Sequence, residues 1–281
     1  MRHRLPAHDG ACGADCSMTG VLAKMIKLTV EQGLARITLA RPEAGNAMSW
    51  DFIDSLSRTC EQVAVDASVR AVLVDAEGKN FCVGGDIRSF ADAPNRGDFI
   101  EKLAGRLHEG MLKLAGMDAP LIVAVNGAAA GAGLSLAAAG DLVLAGEGAS
   151  FTLAYTGLGL TSDGGALWTL PRVIGLRRTQ EMAFLNLRVG AAQAQEWGLV
   201  TKVVPDDQLQ AEALALATRI AAGPTRAFGG IKRLLQGSYG IDYASQLDAE
   251  AKAIGEALRT EDGSAAVDSF LARQAPVFNG R

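Results

Sequence analysis

A chain of 281 residues has room for a substantial core, either as one large domain or as a domain with an appendage. Although 49% of its residues are hydrophobic, no unbroken apolar run reaches membrane-spanning length, and a net charge of −4 with a pI near 5.5 leaves no overall basic footprint for nucleic acid. Four cysteines in a chain this long do not make a disulfide framework, which favours a reduced, cytoplasmic setting.

Residues 1–24 differ from the rest, with His3, His8, Cys12 and Cys16 in a polar stretch without period. Cys-x3-Cys with distant histidines lacks a convincing metal-ligand spacing, so a disordered extension is expected. No continuous apolar segment precedes Met18 or Met25, so the stretch does not read as a secretory signal, and either methionine is a candidate start.

From Met25 onward strands alternate with helices. Ile26–Val30 and Leu34–Leu39 alternate in polarity around Glu31-Gln-Gly33 and predict a hairpin. Arg41–Asn46 follows as a loop, and Ser49 is placed to cap a helix whose apolar positions Phe52, Ile53, Leu56, Cys60 and Val63 share one face. Ala71–Val74 reads as a buried strand. Residues 78–97, rich in Gly, Asp, Asn and Pro, read as a long surface loop of the kind that carries function. Ile100, Leu103, Leu107, Met111 and Leu114 mark a second amphipathic helix ending near Gly116.

The stretch from Asn126 to Asp163, with the strand that leads into it, is the most informative. Pro120–Gly127 is a short apolar run, expected as a strand buried on both faces. Gly127–Gly133 then offers almost no side-chain bulk just before the helix of Leu134–Ala139. Unpaired N–H groups at such a helix start are suited to an oxyanion or enolate; equally, the glycines serve tight helix-to-sheet packing. Asp141–Ala145 and Phe151–Ala154 follow as strands. Beyond Pro205 the pattern is helical, at 206–221, 225–236, 242–259 and 261–272. These signals predict an α/β core over 25–205 and a helical, oligomer-building subdomain over 206–281.

Four blocks in this order resemble the crotonase superfamily, the enoyl-CoA hydratase and isomerase family: Arg41-Pro-Glu-x-x-Asn-Ala47, Phe81-Cys-Val-Gly-Gly-Asp-Ile87, Ala124-Val-Asn-Gly-x-Ala-x-Gly-x-Gly133, and Leu170-Pro-Arg-x-x-Gly175 followed by Ala194-x-x-x-Gly-Leu-Val200. The resemblance implies a spiral of strand-strand-helix units with a helical trimerisation end, a homotrimer or dimer of trimers, and an acyl-coenzyme A substrate. No separate cofactor and no metal are implied, coenzyme A being part of the substrate. Motif to motif, the two backbone N–H groups that bind the thioester oxygen fall on Gly85 and Ala132, the latter where family members usually carry glycine. Coenzyme A contacts fall on Ala44, Gly84, Asp86, Ile87 and Arg88, with a turn-ordering role favoured for Asp86.

The two glutamates of the family's hydratases match Ser135 and Tyr155, neither a carboxylate. This argues against ordinary hydration, which needs groups to activate water and to manage the proton delivered to carbon. The acid that remains, Asp163, matches an aspartate of isomerases resembling those of phenylacetate breakdown and of aryl-CoA dehalogenases. Leu158, Leu160, Leu167 and Trp168 surround it in sequence and are expected to raise its basicity. It is also spaced to cap the helix of Gly164–Trp168. One carboxylate suffices to shift a double bond, acting as base and then as acid. Alternatives are a dehalogenase-like hydrolase with Asp163 as nucleophile, a weak hydratase, and a catalytically silent acyl-CoA binder or RNA-binding relative. For the hydrolase His108 is the candidate base, although a packing role is favoured for it. Tyr155 and Trp168, with Ser135, are acyl-pocket candidates, and a plain core role is favoured for Trp168. Arg172, Arg177 and Arg178 read as a solvated helix end.

Overall fold

The computed structural model describes residues 25–281, so the readings of the first 24 residues lie outside the described part. Its main sheet has six strands in the order β1-β2-β3-β4-β6-β9: β1 (Ile26–Glu31), β2 (Leu34–Leu39), β3 (Ala71–Ala76), β4 (Leu121–Val125), β6 (Leu142–Gly146) and β9 (Lys202–Val204). The hairpin β1–β2 is antiparallel, and every later pairing in this sheet is parallel. A second sheet holds β5 (Ala128–Ala130), β7 (Ser150–Thr152) and β8 (Val189–Gly190). The short strands β5, β8 and β9 go beyond the sequence expectation, since none of them lies in a strand-like run of its own.

The unbroken apolar runs of β3 and β4 follow from burial on both faces. One face, through Ile37, Val72, Val74 and Val123, meets α1 (Trp50–Val65) and α3 (Arg96–Ala115). The other, through Leu73, Ile122, Ala124 and Leu144, is covered by Leu209, Ala213, Ala217 and Ala221 of α8 (Leu209–Ala221). The helical stretch after Pro205 therefore begins by closing the sheet. α1 starts as anticipated, with Ser49 Oγ accepting from Phe52 N at 3.3 Å. Within the 78–97 loop lies a short helix, α2 (Ile87–Ala91), that the loop reading missed. Cys60 and Cys82 are free and buried, and burial pushes both thiols up to about 12.

The remaining helices are α4 (Ala132–Ala138), α5 (Ala166–Val173), α6 (Leu176–Phe184), α7 (Ala191–Trp197), α9 (Thr225–Gly237), α10 (Tyr243–Arg259) and α11 (Glu261–Leu271). α9 is tied to the core by Lys232, whose Nζ lies 2.8 Å from Asp141 Oδ2 and 3.2 Å from the Ala119 carbonyl. Among the described residues no helix is long and apolar enough to cross a membrane.

Candidate active site

The two motif loops are brought together by backbone pairing. Cys82 and Ala129 form a parallel bridge, with Cys82 N donating to Ala128 O at 3.0 Å and Ala130 N to Cys82 O at 2.9 Å. Three residues further along each segment stand Gly85 and Ala132, so one register places both N–H groups at the same end of the pair. Ala132 opens α4, where the first N–H groups have no intrahelical acceptor. Gly131 before it has φ 55° and ψ −128°, a conformation open essentially to glycine alone. At Gly133 a Cβ would meet Cys82 O at 2.2 Å, so this position must be bare for the helix to lie against the Cys82 segment. The glycine turn thus packs tightly, and α4 starts on it with first N–H groups that have no intrahelical acceptor.

The loop of the first block lies alongside. Met48 pairs with Gly85, and Val83 N donates to Gly45 O at 3.1 Å. Asn46, buried with φ 57°, holds this loop through Arg41 N at 2.8 Å, Glu77 O at 3.0 Å and Asn80 O at 2.9 Å. Asp86 pairs with Arg41 at 3.0 Å and makes no side-chain cap on α2. This contact fits the turn-ordering role favoured for it.

Gly85 and Ala132 line a cavity of about 290 Å³, together with Gly84, Ile87, Tyr155 and Asp163. Leu103 and Leu107 of α3 complete an apolar wall, so the helical stripe read as core also faces the cavity. Leu158 and Leu160 reach the cavity but are themselves about half exposed, and Leu167 and Trp168 do not line it. The expected apolar enclosure of Asp163 is thus only partial.

Asp163 is held from three sides. Its Oδ1 accepts the Tyr155 hydroxyl, its main-chain carbonyl accepts Ser135 Oγ at 2.8 Å, and the next N–H, that of Gly164, donates to His108 Nε2 at 3.0 Å. Ser135 Oγ also lies 3.3 Å from Tyr155 Oη. Burial, reinforced by the charge of Asp163, pushes the Tyr155 phenol up from its ordinary value and keeps it a hydrogen-bond donor. The two positions matched to hydratase glutamates therefore meet at the one retained acid.

Several expectations need correction. Asp163 does not cap α5: the N-cap is Gly165, without a side-chain hydrogen bond. Trp168 is neither acyl pocket nor core; the residue is 50% exposed, with the Arg172 guanidinium 4.0 Å from its ring centroid. Arg172 also lies 4.9 Å from the Tyr239 ring, and Arg178 5.0 Å from that of Trp197, so these arginines are stacked and not simply solvated. Ser135 is buried behind the cavity wall and not on it. Ala44, Asp86 and Arg88 lie outside the lining of this cavity, while Gly84 and Ile87 belong to it.

Two placements lie outside the sequence reading, that of Glu101 on the cavity and that of His108, read there as a candidate base or packing residue, against Gly164. Glu101 of α3 is a second carboxylate on the cavity, at an exposed position. His108 serves the Asp163 loop through its ring nitrogen. Neither had a local signal, because each depends on how α3 crosses a loop far away in the chain.

Against known proteins, residues 29–281 match the family model described as enoyl-CoA hydratase/isomerase. The chain belongs to that family. It is 37% identical over 257 residues to the 1,2-epoxyphenylacetyl-CoA isomerase of Escherichia coli (strain K12), covering 90% of this chain and 97% of that protein. It is 35% identical to a "Probable enoyl-CoA hydratase" of Rhodobacter capsulatus, covering 91% and 98%. Among solved structures, an enoyl-CoA hydratase of Bacillus anthracis superposes with a TM-score of 0.86 at 27% identity, covering 92% of this chain and all of that one.

Proposed function

We propose that this protein is an acyl-coenzyme A isomerase in which Asp163 is base and then acid, acting on a 3-enoyl thioester or on an epoxidised aryl-acetyl thioester such as the Escherichia coli relative's name describes. The observation that carries this reading is one cavity lined by Asp163 and by the N–H-bearing residues Gly85 and Ala132, with no glutamate at Ser135 or Tyr155. For a 3-enoyl thioester, Asp163 removes a proton from C2 and the electron pair moves into the thioester carbonyl. The oxyanion is held by the Gly85 and Ala132 N–H groups. Collapse of this dienolate takes the same proton at C4 and leaves the double bond between C2 and C3, so nothing is added or lost.

The test follows conjugated-thioester absorbance with 3-hexenoyl-CoA. Wild type is expected to form the conjugated product, and Asp163→Asn to be slower by about 10³-fold, the scale of a lost acid/base group. An inert wild type on 3-enoyl, epoxide and aryl thioesters alike overturns the reading. Glu101 supports a second reading, hydration with two carboxylates, in which 2-hexenoyl-CoA would gain water and Glu101→Gln would abolish the reaction. His108 Nε2 is engaged by Gly164 N–H, which disfavours it as a free hydrolytic base. Coenzyme A contacts are assigned to the Ala44 and Gly84–Arg88 loops, and assembly as a homotrimer or dimer of trimers to the helical end, where Ile254, Leu258, Phe270 and Leu271 are exposed. Light scattering on the purified protein tests that assembly.

A further inference from the structure

The geometry points to Tyr155 as a positioning residue that restricts Asp163 to a single working oxygen, so that the proton taken from the substrate is the one returned to it. The inference rests on the isomerase reading and concerns how the proton is handled.

Asp163 has two carboxylate oxygens, and the protein treats them differently. Oδ1 accepts the Tyr155 hydroxyl, whereas no donor among the described residues reaches Oδ2. The carboxylate belongs to a cavity-lining residue, and Oδ2 is not among the buried unpartnered side-chain atoms, so it is the oxygen left open. Rotation of the carboxyl would exchange the two oxygens, but it would have to break the Tyr155 contact. The main chain is fixed as well, by Ser135 at the Asp163 carbonyl and by His108 at the Gly164 N–H.

Hydrogen bookkeeping supports the same assignment. The hydroxyl hydrogen of Ser135 goes to the Asp163 carbonyl, so the single hydrogen of Tyr155 is free to be committed to Oδ1. The phenol stays protonated because burial and the neighbouring carboxylate both oppose its ionisation. After abstraction the proton sits on Oδ2 and faces the dienolate. The alternative exit, through Oδ1 to solvent, is occupied. Return at C4 therefore competes well against exchange, and abstraction and return take place on one face of the acyl chain.

The test uses 3-hexenoyl-CoA carrying two deuterium atoms at C2, turned over in ordinary water, with deuterium at C4 of the product read by mass spectrometry. Wild type is expected to deliver most of the abstracted deuterium to C4, and Tyr155→Phe to deliver several-fold less, whatever happens to kcat. A packing defect alone would slow turnover without changing this partition. Equal retention in the two proteins, or none in wild type, overturns the inference while leaving the isomerase reading intact.

If wild type is inert on every 3-enoyl thioester, the isomerase reading passes to the epoxide and aryl thioesters and the clamp is judged without turnover. A far-downfield hydroxyl proton resonance, present in wild type and absent in Tyr155→Phe, then supports the clamp. Its absence from wild type overturns it.

Discussion

At the scale of single residues, Asn46 illustrates how much one buried amide can hold. Its side chain makes three hydrogen bonds to backbone, one within its own loop at Arg41 and two to the 77–80 segment, at a positive φ that Asn tolerates better than most residues. Asn46→Ala strands those groups and strains the backbone, so unfolding free energy is expected to fall by about 3 kcal/mol, measured by urea denaturation. The cysteines give a pH-dependent expectation. Burial raises Cys60 and Cys82 from 9.0 to about 12. Below pH 9 both thiols are protonated whether folded or unfolded; above it only the unfolded chain releases protons, so these groups withdraw stability as pH rises toward 12. In the native protein at neutral pH neither thiol should react with an aromatic disulfide reagent, and both should react in denaturant. Asp163 was legible at this scale from its motif. Its partnership with Tyr155 was not, because a loop turning back over eight positions leaves no trace in composition or period.

At the scale of elements, the turn into α4 is the part least tolerant of change. Gly131→Ala forces a side chain into a conformation that costs about 1–3 kcal/mol, and relaxing that strain displaces the Ala132 N–H. On the isomerase proposal, turnover is expected to fall by about 10²-fold or more while far-UV circular dichroism is retained. Ala132→Gly changes no backbone donor and is expected to keep activity, which separates the role of the N–H from that of the side chain. Lys232→Met tests the bond between helical end and sheet: Asp141 keeps the Leu121 N–H at 2.7 Å but loses its cation, with an expected loss of about 2 kcal/mol in chemical denaturation. The long elements were legible because their side chains repeat. Helices expected at 225–236 and 261–272 occur as Thr225–Gly237 and Glu261–Leu271. Trp168 is near Asp163 in sequence but does not share its direction, since on α5 it faces Arg172, four residues on.

At the scale of the whole molecule, family membership and fold were readable from four short blocks in a fixed order, since each supplies a turn or close approach that the architecture requires. What the blocks do not encode is the side-chain lining contributed by α3 and by the 158–163 loop, hence neither Glu101 at the cavity nor the acyl group it accepts.

The main sheet has a further consequence, for synthesis. Its strands join in the order in which they leave the ribosome, each new strand lying beside the one made before it. The helix that covers their second face, α8, emerges only after all six. Until α8 emerges the nascent chain therefore carries Leu73, then Ile122, then Leu144, on an uncovered apolar face. A chain arrested before Leu209 should be held by chaperones or aggregate, whereas release just past Ala221 should let the sheet close.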